Sequence, residues 1–391
     1  MKGWLLLGLL GLCSATVYFK ETFDPSWEER WVQTKHKTEG SFSKFERSAG
    51  KWYTDSEKDA GIQTKEDYRF YQASAKFSSF SNKDKPLVLQ FTIKNEQYLD
   101  CGGGYIKLLP EGFDQENFGG DTPYLVMFGP DICGSEKKTH FILNYNGENY
   151  LSKKRIRVET DNFTHQYTAI VYPDNTFKVL IDNEEVESGN IEDNWEMLAP
   201  KEISDPSAKK PEDWVDEPTI PDPEDKKPEG WDDIPQFIPD ESAEKPEDWD
   251  EEKDGPWSPP QIPNPEYKGE WKPKMIPNPD YKGPWTAPKI PNPDYTPDPN
   301  LYKFGKIGGV GIEIWQVTSG SIFDNIFVGD DPAEAKKFSE ETFVPRKSGE
   351  EAAKAAFDEE EQQRMAASSE GQKEDTDLDF EPDNEDFKED L

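Results

Sequence analysis

Positive charge is scarce in this chain: 45 lysines and arginines stand against 81 aspartates and glutamates over 391 residues, a net charge of −36. That balance argues against nucleic acid or an anionic membrane surface as a partner and favours cations or basic proteins. Histidine is equally scarce. Three residues leave little room for a zinc centre or a Ser–His–Asp set, and no zinc-ligand spacing, triad or P-loop is found. Hydrophobic residues make up only 33%, yet aromatics reach 13%, more than a disordered chain carries. A packed core is therefore expected beside polar segments that contribute little to it. Beyond the first residues no run is apolar enough to cross a membrane, so no membrane span is expected.

Cysteine is the next shortage, with three in all. Cys13 falls in a segment that reads as a secretory signal peptide, 1–15: Lys2 gives the positive start, Trp4 to Leu12 the apolar stretch, and Cys13-Ser14-Ala15 the small residues of a cleavage site. The apolar stretch is too short for the ~30 Å of hydrocarbon in a bilayer. Cleavage leaves Cys101 and Cys133, which lack the CxxC spacing of a thiol pair or metal site. In an oxidising compartment they are expected to form one disulfide, contributing about 3–4 kcal/mol in the chain-entropy model. The chain ends Lys388-Glu389-Asp390-Leu391, a permuted form of the tetrapeptide that retrieval receptors hold in the endoplasmic reticulum lumen.

Short apolar or alternating runs fill residues 16–204: Leu87–Ile93, Tyr105–Leu109, Tyr124–Phe128, Phe141–Tyr145, Tyr167–Tyr172 and Phe177–Ile181. Turn clusters such as Cys101-Gly102-Gly103-Gly104 separate them, the pattern of a two-sheet β-sandwich. Residues 205–300 differ sharply, holding 23 of the 33 prolines and 6 of the 12 tryptophans. Two repeat families lie there. Lys-Pro-Glu-(Asp/Gly)-Trp occurs at Lys210–Trp214, Lys227–Trp231 and Lys245–Trp249, and Ile-Pro-Asn-Pro-(Glu/Asp)-Tyr at Ile262–Tyr267, Ile276–Tyr281 and Ile290–Tyr295. Three copies of one type followed by three of another predict a chain that runs out and folds back, an extended hairpin arm reaching roughly 100 Å, with the two repeat types paired in reverse order. β signals resume over 301–330, chiefly Gly308–Val317 and Ser321–Val328, which implies one sandwich with the arm inserted. From 331 the chain is acidic. Asp331-Pro332 caps a helix, Pro345 is expected to interrupt it, and Ser348 with Glu351 forms a capping box for a second helix to about Ser368. Residues 350–391 hold 17 acidic and 4 basic side chains, and the tail is expected to be disordered.

The stretches Asp100-Cys-Gly-Gly-Gly-Tyr-Ile-Lys-Leu, Met127-Phe-Gly-Pro-Asp-Ile-Cys-Gly, Lys210-Pro-Glu-Asp-Trp, Asn264-Pro-Glu-Tyr-Lys-Gly-Glu-Trp and Ser321-Ile-Phe-Asp-Asn resemble the calreticulin/calnexin family. The likeness covers essentially all of the chain after the signal segment. Three plus three repeats without a spanning helix match the calreticulin branch. The resemblance implies a mainly β, legume-lectin-like jelly-roll sandwich with an inserted Pro-rich arm and a C-terminal acidic helix and tail. It implies a calcium-binding lectin chaperone, not an enzyme, that binds monoglucosylated high-mannose glycans on unfolded glycoprotein clients and is expected to be monomeric. The carbohydrate site carries over onto Tyr105, Lys107, Tyr124, Asp131, Glu313 and Trp315; Glu313 stands where the family usually has Asp. A structural calcium site carries over onto the backbone carbonyls of Thr22, Lys58 and Ala60 with the side chain of Asp324. The acidic tail adds diffuse, weak calcium storage. At the arm tip Trp249, Glu252, Asp254 and Trp257 match a segment that binds a thioredoxin-like disulfide isomerase, with Pro256 where an acid is usual.

Taken without the family, these aromatics read as ordinary sheet packing and Asp324 as a turn residue. Asn162-Phe163-Thr164 is a glycosylation sequon, and His165 after it reads equally as a loop or buried histidine or as part of the chaperone function. Two other functions are weighed. A glucan hydrolase on the same fold needs a spaced carboxylate pair, and no Glu-x-Asp-x-x-Glu strand occurs. A lumenal calcium-storage protein with a weak or vestigial lectin site is the alternative.

Overall fold

The alternation read in Gly308–Val317 becomes the strand Ile307–Gln316, with Ile312 and Ile314 buried on one side and Glu313 and Trp315 only partly buried on the other. The computed structural model describes residues 15–34 and 41–376, with side chains to 367; the signal segment before Ala15, the acidic end from 377 and the Lys388–Leu391 tetrapeptide lie outside the described residues. Two mainly antiparallel sheets, of nine and eight strands, face each other. In the nine-stranded sheet Ile307–Gln316 lies between Arg69–Phe80 on one side and Cys101–Gly103 and Ile106–Pro110 on the other. In the eight-stranded sheet Ser321–Gly329 lies between Leu87–Asn95 and Gly61–Gln63. The two strands that follow the arm thus take interior places in both sheets, and one core joins the sheets. Phe91 of one meets Phe128 of the other edge to face at 6.3 Å, and Trp195 closes one end against Phe141 and Phe177 while its indole N–H donates to the Phe141 carbonyl.

The stretch Arg69–Phe80 is not among the expected strands, yet it is the longest among the described residues at 12 residues, and Tyr71, Ala73, Ala75 and Phe77 alternate with the polar Gln72, Ser74 and Lys76. Its Ala73-Ser74-Ala75 centre is buried on both faces, where small residues fit and bulky β-formers do not.

Residues Pro200–Asp294 form a second compact unit, slightly displaced from the 205–300 that proline density marks. Pairing begins ahead of the prolines, at Glu202–Ser204. Three two-stranded ladders join Glu202–Ser204 to Lys289–Pro291, Thr219–Pro221 to Met275–Pro277, and Phe237–Pro239 to Gln261–Pro263. Each centres on an isoleucine pair: Ile203 with Ile290, Ile220 with Ile276, Ile238 with Ile262. Five of the six strands end on a proline, which has no N–H to extend pairing. The motif asparagines close each rung. Asn264, Asn278 and Asn292 each donate the backbone N–H and Nδ2 to two successive carbonyls across the arm, those of Gln236 and Pro235, Pro218 and Glu217, and Lys201 and Pro200. Trp214 and Trp231 donate their indole N–H to the carbonyls of Gly283 and Gly269 on the returning strand.

Asp331 caps the helix Pro332–Glu341 through the Ala333 N–H at 2.8 Å. The break after it falls at Thr342 and not at Pro345. A single long helix then runs from Phe343 to Thr376, past the expected end near Ser368. Pro345 sits in its first turn, where no intrahelical N–H bond is lost. The capping box does not form, because Ser348 is already inside the helix and its hydroxyl bonds the Pro345 carbonyl. The long helix docks through Phe343, Arg346, Glu350 and Phe357. Glu350 accepts the N–H and hydroxyl of Thr164 and lies 3.3 Å from the buried Lys94 ammonium, which also contacts Glu96 at 3.2 Å; Phe357 packs on Trp52. In the sequon, Asn162 Nδ2 donates to the carbonyls of Asn95 and Gln97, so both of its functional side chains are engaged in the fold.

His165 is buried with its ring nitrogens 2.9 Å from Asp182 and 2.7 Å from Asp161. Burial opposes its charge, but the hydrogen bonds and charges of the two carboxylates outweigh it and raise its pKa above the ordinary 6.5. The stabilisation is therefore fully present below about pH 6.5 and is lost as pH rises through the folded-state value. His165→Gln is expected to remove this component from urea-unfolding midpoints measured between about pH 6 and 9. A variant profile parallel to the wild type would contradict the pairing.

Candidate functional site

On the strand Ile106–Pro110, Ile106 and Leu108 enter the core, which turns Lys107 to the opposite face of the nine-stranded sheet. Cross-strand register sets Lys107 beside Gly311 on one side and Met127 on the other. Lys107 is nevertheless only 4% exposed. Its ammonium is 2.7 Å from Glu313 Oε2 and 5.1 Å from the centre of the Tyr124 ring. Tyr105 stands just ahead of the strand; burial, and then the nearby charges of Glu313 and Asp131, hold its phenol well above the usual range. A Cβ at Gly120 would stand 3.6 Å from Glu313 Oε1, so the Phe118–Asp121 loop closes against the carboxylate. The same loop borders a cavity of about 500 Å³ lined further by Asp114, Asn117 and Thr122.

The fold therefore brings Tyr105, Lys107, Tyr124 and Glu313 into one cluster. Asp131 adjoins it through His140, whose Nε2 is 3.0 Å from Asp131 Oδ2 and whose ring meets Tyr105 edge to face at 6.3 Å. Trp315 lies two residues beyond Glu313 and packs instead on Phe70, at 4.6 Å, with Phe42 stacked behind. His140 was not singled out from sequence, although a signal existed. With Asp131 opposite Lys138 in the hairpin, His140 is the diagonal neighbour of Asp131 on the same face.

Cys101 and Cys133 are bonded, directly opposite each other where Cys101–Gly103 pairs with Val126–Cys133. The bridge pins the strand that carries Asp131 to the segment leading into Tyr105.

Asp324, 1% exposed, lies on Ser321–Gly329 in the eight-stranded sheet. A Cβ at Gly61 would stand 2.9 Å from the Asp324 Cβ, so glycine lets its strand pack closely against the strand that carries Asp324. Thr22, Lys58, Asn325 and Arg346 line an adjoining cavity of about 470 Å³. Burial pushes the Asp324 carboxyl up, and the Arg346 guanidinium, 3.2 Å from Oδ2, works against that rise. Among the described residues no group of three or more His, Cys, Asp or Glu side chains is arranged to hold a metal, so a cation here would depend on carbonyl oxygens. The oxygens at hand suit a hard cation. The Asn325 Oδ1 is buried without a partner among the described residues.

At the arm tip Asp250 caps the short helix Glu251–Asp254, and Trp249 donates its indole N–H to the Gly255 carbonyl. Glu252 and Asp254 are exposed between the half-buried Trp249 and Trp257.

A family model described as "Calreticulin family" matches residues 19–255 and 252–328. The chain is 56% identical to calreticulin of Dictyostelium discoideum over 356 residues, covering 90% of this chain and 83% of that one. It is 59% identical to calreticulin of Oryctolagus cuniculus over 360 residues, covering 91% and 85%. The chain belongs to the calreticulin family. The solved globular domain of T. cruzi calreticulin matches with a TM-score of 0.64 at 35% identity, covering 88% of this chain and 99% of that domain. The calreticulin family is one of calcium-binding lectin chaperones of the endoplasmic reticulum. No helix among the described residues is long and apolar enough to cross a membrane.

Replacing both bonded cysteines, Cys101→Ala with Cys133→Ala, is expected to cost about 3–4 kcal/mol in denaturant unfolding. It should also weaken ligand binding at Tyr105 and Asp131. Unchanged affinity in the unbridged variant would show that the bridge does not hold the face.

Proposed function

We propose that this chain is a calcium-dependent lectin chaperone of the endoplasmic reticulum lumen that binds monoglucosylated high-mannose glycans of unfolded glycoprotein clients. The observation that carries the reading is the Lys107–Glu313 pair set beneath the Tyr124 ring on an outward sheet face. Sugar recognition needs aromatic surface for C–H faces and polar groups already fixed for hydroxyls. Tyr105 and Tyr124 supply the first, with Trp315 extending the face beside Phe70; Lys107, Glu313 and the His140-braced Asp131 supply the second. Glu313 is one methylene longer than the family's usual Asp, and its 2.7 Å pairing with Lys107 takes up that length. The same pairing speaks against hydrolysis, since Glu313 and Asp131 are each engaged by a partner and make no free acid–base pair.

Calcium belongs to this reading twice. The carbonyls of Thr22, Lys58 and Ala60 with the Asp324 carboxylate would hold one ion, and the acid-rich C-terminal region would hold others weakly. Asp324 lies on the strand Ser321–Gly329, so a bound ion would brace the eight-stranded sheet from within. The exposed Glu252 and Asp254 between two tryptophans suit a basic face on a thioredoxin-like disulfide isomerase. The terminal tetrapeptide would engage a retrieval receptor.

Calorimetry with a monoglucosylated oligosaccharide in calcium tests the lectin reading. Tyr105→Ala is expected to weaken binding at least about tenfold, as loss of a buried aromatic contact does. Equal affinity in wild type and variant, or no glucose-dependent heat in either, would leave a calcium-storage protein as the better account.

A further inference from the structure

We infer that Arg346 is a tethered cation standing in for calcium at Asp324, so that calcium binding there and docking of the first turns of the long helix oppose each other. The inference rests on the calcium reading of Asp324 proposed above. Arg346 is 3% exposed and faces a carboxylate that is 1% exposed, with Nη1 3.2 Å from Oδ2. A buried charge pair is stable only when its remaining hydrogen-bonding positions are filled. Here they are not. The Arg346 Nε has no partner among the described residues, and neither has the Asn325 Oδ1 in the same cavity.

The guanidinium thus neutralises Asp324 from one side while leaving its own donor and a neighbouring oxygen unmet. A hard cation of small radius differs in kind. It draws carboxylate and carbonyl oxygens inward from several directions at once, and glycine at position 61 lets its strand pack tightly against Asp324. The buried Asp59 and Glu21 add negative charge near Asp324, yet two cations held against the Asp324 carboxylate itself repel each other strongly. Occupation by calcium therefore requires the guanidinium to withdraw.

Withdrawal reaches the helix. Arg346 lies in its opening turns, four residues before Glu350 and on the same face. Glu350 anchors that face to Thr164 and Lys94. Displacing Arg346 loosens the docking that Glu350 and Phe343 share. By reciprocity, whatever undocks the segment must raise calcium affinity by the same factor.

Calcium titration calorimetry on the full chain tests this, with Arg346→Met removing the charge at similar length, Arg346→Lys keeping it, and Asp324→Asn as the control. Arg346→Met is expected to bind calcium about tenfold or more tightly at one Asp324-dependent site, a factor usual for coupled sites, and Arg346→Lys to resemble wild type. Hydrogen exchange on the wild type needs no substitution: calcium should speed exchange in residues 343–350. Equal or weaker binding by Arg346→Met, with Asp324→Asn abolishing binding in both, refutes the role of Arg346 and leaves the calcium site standing. So does exchange in 343–350 that calcium slows. Absence of any Asp324-dependent binding refutes the calcium reading, and this inference with it.

Discussion

Both sheets are closed by chain that comes after the arm, and everything else follows from that constraint. Ile307–Gln316 and Ser321–Gly329 fill interior positions, so neither sheet exists in its final form until the chain has left the sandwich, run along the Pro-rich unit and come back. Pairings between residues 72 and 313 or 93 and 323 carry a large loop-closure cost. The arm lowers that cost by being its own structure. Its base is shut by Asn292 reaching the carbonyls of Lys201 and Pro200, which delivers the returning chain beside its point of departure.

The face proposed to bind carbohydrate depends on the same closure. Lys107 and Glu313 are 206 residues apart in sequence and become neighbours only when the strand Ile307–Gln316 settles beside Ile106–Pro110. The eight-stranded sheet shows the complementary case, in which buried charge and not apolar area does much of the joining. Lys94, Glu96 and Glu350 form one buried group, and Asp324 with Arg346 another. Such groups specify where a helix sits more than they add stability, because desolvation offsets most of the attraction.

Local pattern was enough for much of the fold. Val, Ile and aromatic alternation marks Leu87–Asn95 and Ile307–Gln316, and the repeat count marks the arm. The alternation of Tyr71, Ala73, Ala75 and Phe77 in Arg69–Phe80 was equally legible but muted by its small residues, and local pattern fails at Pro345, which a helix tolerates in its first turn. In the site, Tyr105, Lys107, Asp131 and Glu313 are legible only through family resemblance, because their relation is one of register between distant strands. His140 was within reach of hairpin geometry. The Arg346–Asp324 contact was not, since nothing local to a helix turn says which buried carboxylate it will meet.

The rungs of the arm are nearly self-sufficient: an isoleucine pair and an asparagine bridging two carbonyls, with tryptophans on glycine carbonyls between them. A structure assembled this way is a ruler with a fixed graduation. One copy of each repeat type, inserted together, lengthens it by a whole step without disturbing the register of either sheet, whereas a single unpaired copy does not fit. Reach can therefore change in evolution or by design in discrete increments while the Lys107–Glu313 face stays as it is.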